Sequence, residues 1–235
     1  MVLEAQGSIK RFSVILVRPE KAENIGLVAR NMKNTGFENL RLVKLSSLES
    51  KSYLTAVHAR DILEKARFYP FIAEATRDLD IIFAASSKKR RNFSSLSLNE
   101  AVAEVQNFPL STKIGLLFGN ERTGLTSKEL RYSNFRYVIP QSSKQPSYNL
   151  ASAVLLTLFQ IFKIDFNKKE PKREQPLSRE KQEECIQLIL SKLEKKEFIH
   201  TTNKEHVTQL IYDLLGRLAI TERDKKLLLA IFNKT

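Results

Sequence analysis

One cysteine, Cys185, is all that 235 residues supply toward disulfides or thiolate metal sites, so a disulfide framework and a cysteine-clustered zinc site are both excluded. Tryptophan is absent, and histidine occurs only as His58, His200 and His206. None of the three falls in a loop where a nucleophile could use it, so a Ser–His–Asp arrangement is unsupported and no metal is expected. Glycine is scarce as well. Its seven residues include no G-x-G-x-x-G spacing, so the tight turn under a dinucleotide pyrophosphate is missing, and an ordinary Rossmann-type methyltransferase is disfavoured with it. No stretch approaches the roughly 20 apolar residues of a membrane helix, and the opening MVLEAQGSIKRF lacks the apolar run of a signal peptide. A cytoplasmic protein without membrane contact is the expectation.

Positive charge is what the chain has in excess. Lysine and arginine total 39 against 26 acidic residues, a formal +13 with pI near 9.8. Both the first two-thirds and the remainder are basic, so the excess is no detachable tail. A polyanionic partner, most simply a nucleic acid, is expected; a merely basic enzyme is the plainer alternative. Apolar residues at 42% and charged ones at 28% fit a globular chain with ample length for a core.

The first two-thirds alternate short β-branched runs with helical patterns. Strands are predicted at 12–17, 40–45, 80–85, 114–118 and 135–139, and helices at 24–34, 53–66, 71–78, 99–105, 126–132 and 147–166. Such runs between amphipathic helices predict an α/β domain over 1–166, with a mainly parallel sheet covered on both faces. Thr126 with Glu129 is a capping-box pattern. Residues 167–180, with two prolines and many charges, read as a linker. The rest, 181–235, predicts a small all-helical extension with helices at 180–198, 205–220 and 225–232. Ile186, Ile189, Leu190 and Leu193 form one apolar stripe there. Val207, Leu210, Ile211, Leu214, Leu215 and Leu218 form another, and Thr221 with Asp224 caps the last helix.

Ligands of open α/β sheets bind beyond the carboxyl ends of the strands, which points to loops 18–24, 86–93, 119–126 and 140–147. The sequence GNERTGLT (119–126) lies between a strand and a helix, as a nucleotide P-loop does. Leu125, however, stands where the phosphate-reaching lysine belongs, so an NTPase is disfavoured. Gly119 and Gly124 permit close backbone approach, and Glu121 and Arg122 put opposite charges in one turn; a tight connection is the plainer reading. In NIGLVARN (24–31), Asn24 is a competent N-cap, Gly26 lets a ligand or chain approach, and Arg30 follows on the same face. Asn34-Thr35-Gly36 is a helix stop. The block Lys88, Lys89, Arg90 and Arg91 reads equally as a solvated run or as phosphate contacts, with Arg18, Lys21, Arg122 and Lys144 on the same rim. Ser147 or Asn149 caps the long apolar helix.

Taken together, NIGLVARNMKNTGF (24–37), LFGNERTGL (117–125) and VIPQSSKQPSYNLASAV (138–154) resemble the three motifs of the SpoU/TrmH branch of the SPOUT RNA methyltransferases. Length, the leading VILVRPEKAENIG segment and the helical extension make the TrmJ-like subgroup the nearest likeness. The resemblance implies an S-adenosylmethionine-dependent ribose 2′-O-methyltransferase acting on tRNA, with anticodon-loop position 32 as target. Ribosomal RNA is the rival substrate, and a catalytically silent RNA-binding protein the rival class. It further implies a homodimer with sites at the subunit interface, and a C-terminal third of the α/β domain threaded into a trefoil knot, against the usual rule. The cofactor would be held by Ala84, Ala85 and Ser86; Leu117, Phe118 and Gly119; Ile139 and Pro140; and Pro146, Ser147 and Tyr148. Arg30 would be the catalytic residue, with Asn24, Glu121, Ser147 and Asn149 completing the set. Tyr148 stands where leucine is commoner.

Overall fold

In the computed structural model, which describes residues 7–86, 95–142, 144, 147–164, 170–216 and 218–234, a seven-stranded sheet forms the centre. Its strands are β1 (Phe12–Val17), β2 (Asn39–Val43), β3 (Arg67–Tyr69), β4 (Ile81–Ala85), β5 (Leu96–Ser97), β6 (Ile114–Phe118) and β7 (Phe135–Val138), in the order β3-β2-β1-β6-β4-β7-β5. Every pairing is parallel. The apolar runs follow from this, because a parallel sheet is covered on both faces and its strands alternate between two apolar layers. Along β1, Val14 and Leu16 enter one layer and Ile15 and Val17 the other; Ile81 and Phe83 of β4 enter the first layer, Ile82 and Ala84 the second.

The first layer is closed by α1 (Ala22–Asn34), α2 (Ser50–Ala56), α3 (Arg60–Glu64), α5 (Leu98–Val105) and α7 (Leu150–Phe162). The second is closed by α4 (Ile72–Thr76) and α6 (Ser127–Leu130). Five of the strands match the predicted ones. The two extra edge strands, β3 and β5, are only three and two residues long, too short to show a period. The helix predicted over 53–66 is broken, because Val57 takes φ 54° and turns the chain through a short 3-10 segment (Val57–Ala59). Thr126 and Glu129 form the predicted capping box, and Gly36 at φ 78° ends α1 as expected.

Asn24 is not the N-cap of α1. The helix starts at Ala22 after Lys21, and Asn24 is buried inside the first turn. Gly26 serves helix packing and not a ligand: a Cβ there would stand 2.1 Å from the Ser52 carbonyl oxygen of α2. On α7 the cap is Asn149, whose Oδ1 accepts from the Ala151 amide at 2.9 Å. β7 and α7 are joined by a buried bond between the Tyr137 hydroxyl and Thr157 Oγ1, 3.0 Å, and burial pushes that phenol well above its ordinary pKa.

The predicted linker is irregular in its described part, yet it is fastened. The Arg173 amide donates to the Asn107 carbonyl at 2.9 Å, and its guanidinium meets Glu104 at 2.6 Å and stacks over Phe108. Beyond it, α8 (Arg179–Lys195), α9 (Lys204–Leu215) and α10 (Glu222–Lys234) share a third apolar cluster centred on Cys185, Ile186 and Ile189. The cap joining Thr221 and Asp224 is present. The helix predicted to 220 ends at Leu215, and only half the predicted stripe faces inward: Val207, Ile211 and Leu215 pack, whereas Leu210, Leu214 and, beyond the helix, Leu218 are exposed. The bundle sits on the sheet domain through Asn134, whose Nδ2 donates to the Gly216 and Leu218 carbonyls, and through Gln182, whose Nε2 donates to the Asp80 carbonyl at 3.0 Å.

Candidate active site

At the carboxyl ends of β4, β6 and β7 lies a cavity of about 410 Å³. That is the end of the sheet where α/β ligands bind, and the volume lies within the range of small-molecule sites, about 300–1,000 Å³. Its apolar surface comes from Phe118, Leu125, Ile139, Leu150 and Ala153, and its polar rim includes Ser86, Glu121, Arg122, Gln141 and Ser147.

Three of the four predicted loops, 86–93, 119–126 and 140–147, contribute residues to its lining, and a chain of hydrogen bonds ties the second of them to the fourth loop, 18–24, and to the start of α7. Glu121 Oε2 accepts from the Glu20 amide at 2.9 Å; its Oε1 accepts from the Lys21 amide at 3.2 Å and from Asn24 Nδ2 at 2.8 Å. Asn24 Oδ1 then accepts from Asn149 Nδ2 at 2.9 Å, and Asn149 Oδ1 caps α7. A carboxylate only accepts, and the Ala151 amide only donates. Only one orientation of both side-chain amides satisfies the whole chain, so its direction is fixed from the two ends. Burial alone would raise the Glu121 carboxyl, but the donors from Asn24, Glu20 and Lys21 outweigh it and hold the group below its ordinary pKa.

The loop between β6 and α6 is shaped by its own residues. Asn120 Oδ1 accepts from the Arg122 and Thr123 amides, and Asn120 Nδ2 donates to the Arg18 carbonyl. Gly124 has φ 66°, and a Cβ on Gly119 would stand 2.4 Å from the backbone of Gly124 and Leu125. Both glycines are therefore required by the fold of the loop itself.

Among the residues expected to hold a cofactor, Ala85, Ser86, Phe118, Gly119, Ile139, Ser147 and Tyr148 line the cavity. The side chains of Ala84 and Leu117 do not; they belong to the second apolar layer. Pro140 adjoins the cavity, its carbonyl accepting from the Tyr148 hydroxyl at 2.9 Å, and Pro146 lies outside the described residues. Asn120, Thr123, Gly124, Leu125, Gln141, Leu150 and Ala153 line it without having been foreseen. Of these, Asn120 carried a local signal, as an asparagine one residue into a glycine-flanked turn, and Gly124 another, as a glycine that permits close backbone approach.

Arg30 is exposed on α1 with Leu27, does not line the cavity, and has no hydrogen-bond or ion-pair partner among the described residues. Its neighbour Asn31 does connect with the site, donating from Nδ2 to the Ala151 carbonyl at 2.9 Å. Of the expected RNA rim, Lys21 and Lys144 are exposed, and Arg122 is exposed with Glu20 3.8 Å away. The side chain of Arg18 is engaged by Glu129, at 2.7 Å and 2.9 Å, and is only partly exposed. Lys88, Lys89, Arg90 and Arg91 lie outside the described residues. Among the described residues no group of three or more His, Cys, Asp or Glu side chains is placed to hold a metal ion, and no helix is long and apolar enough to cross a membrane.

Residues 11–159 match the model of the SpoU rRNA Methylase family. The chain is 33% identical over 230 residues to the tRNA (cytidine-2′-O-)-methyltransferase TrmJ of Methanocaldococcus jannaschii, covering 94% of this chain and 97% of that one. Among solved structures, TrmJ from Z. mobilis ZM4 superposes with a TM-score of 0.80 at 26% identity, over 94% of this chain and 97% of that one. The SpoU methyltransferase AviRb from Streptomyces viridochromogenes, in complex with the cofactor AdoMet, is alike in fold: TM-score 0.51 at 19% identity, covering 69% of this chain and 62% of that one.

Proposed function

The chain belongs to the SpoU rRNA methylase family, and from that membership we propose that it is an S-adenosylmethionine-dependent tRNA 2′-O-ribose methyltransferase, acting at anticodon-loop position 32. The observation that carries this reading is the cavity at the carboxyl ends of β4, β6 and β7, with its Glu121 loop tied through Asn24 to Asn149 at the start of α7. The residues present fit the cofactor. Phe118, Leu125, Ile139 and Leu150 offer an apolar bed for a purine, and Ser86, Gln141 and Ser147 offer polar partners to a ribose and an amino acid. S-adenosylmethionine supplies, when bound, a methyl group activated by its sulfonium. Choice of tRNA over ribosomal RNA rests on the relative from Methanocaldococcus jannaschii, matched over nearly the whole chain with its helical extension.

The chain's own task is to align a weak nucleophile and relieve it of its proton. Arg30, exposed and without a partner among the described residues, binds the target phosphate and orients the ribose hydroxyl. A guanidinium resists deprotonation, so the proton leaves to a phosphate oxygen or water. Asn31 on Ala151 and Asn24 on Asn149 fix the helix that carries Arg30 against α7. Because Arg30 lies off its own chain's cavity, the reading includes a homodimer in which the site is completed at the subunit interface. The exposed Leu27, Leu155 and Phe159 on α1 and α7 support that face. The strand order, with β6 between β1 and β4 and β7 between β4 and β5, supports a trefoil-knotted path. A cytoplasmic location is part of the same reading, since the substrate is tRNA.

Incubation with labelled S-adenosylmethionine and separated tRNA and rRNA pools, followed by nuclease mapping, tests this. Label on the ribose at tRNA position 32 is expected. Label confined to rRNA would replace the substrate, and cofactor binding without transfer to either pool would overturn the enzymatic reading. Arg30→Ala should keep cofactor affinity and lose at least about a hundredfold in turnover; near-normal turnover would remove Arg30 from the mechanism.

A further inference from the structure

Arg18 ends β1 in a left-handed conformation, φ 53°, uncommon for a residue with a side chain. Both its backbone groups and two of its three guanidinium nitrogens have a named use. Its amide donates to the Val43 carbonyl at the end of β2, 2.9 Å, and its carbonyl accepts from Asn120 Nδ2, also 2.9 Å. The guanidinium meets Glu129 as a fork, Nε on Oε1 and Nη2 on Oε2, and the same Nη2 lies 3.3 Å from the Gly124 carbonyl. Glu129 is buried, and its Oε2 also accepts the Thr126 amide at 2.8 Å, closing the capping box of α6. Two strand ends, the cavity loop and the helix after it thus converge on one ion pair.

Gly124 and Leu125 line the cavity, and Gly119 is pressed against both. The loop carries no apolar anchor before Leu125, so its backbone path is set by polar ties at Asn120, Glu121 and Gly124. We infer that the Arg18–Glu129 pair is a positioning device for the methyl donor: it holds the 119–125 loop in its binding conformation before the donor arrives. This rests on the function proposed above. Ordering the loop in advance spares the donor that ordering on binding, so the pair acts on affinity more than on the chemical step.

The test uses the whole chain with Arg18→Met, Glu129→Gln and the double variant, and Arg41→Met as control. Arg41 of β2 makes a similar fork with Asp78, and neither residue lines the cavity. S-adenosylmethionine binding is read by calorimetry, thermal stability in parallel, and amide exchange at Gly124 in the ligand-free chain. Either single variant should weaken binding about tenfold, and the double should be no more than about twofold worse, since one interaction is lost in all three. Gly124 exchange should speed up, and turnover at saturating donor should stay within about threefold of the parent. Arg41→Met should lose comparable thermal stability with unchanged affinity. Unchanged affinity in a folded Arg18→Met or Glu129→Gln chain would overturn the inference, as would an equal loss in Arg41→Met. Failure of the parent chain to bind the donor would instead strike the proposed function, and this inference with it.

Discussion

Asn149→Ala removes both ends of one side chain's work. The first loss is the cap on α7, where Oδ1 accepts the Ala151 amide at 2.9 Å, worth about 1 kcal/mol. The second is the donor to Asn24 Oδ1. Asn24 is only 4% exposed, so its oxygen is left without a partner out of reach of bulk water, at about 1–3 kcal/mol. Together these predict a destabilisation of about 2–4 kcal/mol, which in a chain of this length lowers the melting temperature by roughly 5–10 °C. Urea unfolding of the ligand-free chain, with an unchanged m-value, is the assay. Asn149→Asp separates the two parts: it keeps an acceptor for Ala151 but has no proton for Asn24, so it should retain the first contribution and lose the second. Asn24→Ala combined with Asn149→Ala should fall short of the sum of the two single losses, because the Asn24–Asn149 bond is counted in both, although the double variant also lacks the Asn24 donor to Glu121. A loss below about 0.5 kcal/mol for Asn149→Ala, or full additivity of the two, would refute the relay.

Gly119→Ala should abolish donor binding and cost about 2 kcal/mol or more, since its Cβ meets backbone atoms at 2.4 Å that cannot swing aside; calorimetry and melting curves read both. Glu121 titrates below its ordinary value in the folded chain, so its contribution is complete above about pH 5 and is lost as pH falls through the lowered folded pKa. Melting curves of the parent and Glu121→Gln should therefore differ at neutral pH and converge in acid. Asp80 behaves in the opposite sense. Burial raises its carboxyl above the ordinary 3.8, offset in part by the Lys113 amide, so ionisation opposes folding as pH rises through that range. Asp80→Asn keeps an acceptor for Lys113 and Gln175, and should raise the melting temperature slightly at pH 7 and not below pH 3.8. A clear loss at pH 7 would contradict it.

Much of the architecture was readable in one dimension. A parallel sheet buried on both faces needs unbroken apolar strands, and the runs at β1, β4 and β6 have no other economical explanation. The loops at the strand ends, the capping box at Thr126 and the motif residues Asn24, Glu121 and Asn149 could likewise be marked along the chain, because each is a local pattern of residue types. Partnership could not. Asn24 looks like a helix cap, since a cap is the local use of an asparagine at a strand–helix junction; a tertiary contact 97 residues away gives it to Glu121 instead. Gly26 looks open to a ligand until α2 is seen pressed against it.

Arg18 shows the division most plainly. Local sequence placed a cation at the ligand end of β1, and solvent exposure was the natural inference for it. The folded chain sets Glu129 within 2.7 Å across 111 residues and leaves the cation only partly exposed. Residue type and spacing fix which groups can bond and which segments form strands or helices. Which donor finds which acceptor was decided only when distant loops were brought to one end of the sheet, because hydrogen-bond partners are chosen by distance in space, and chain separation says little about that.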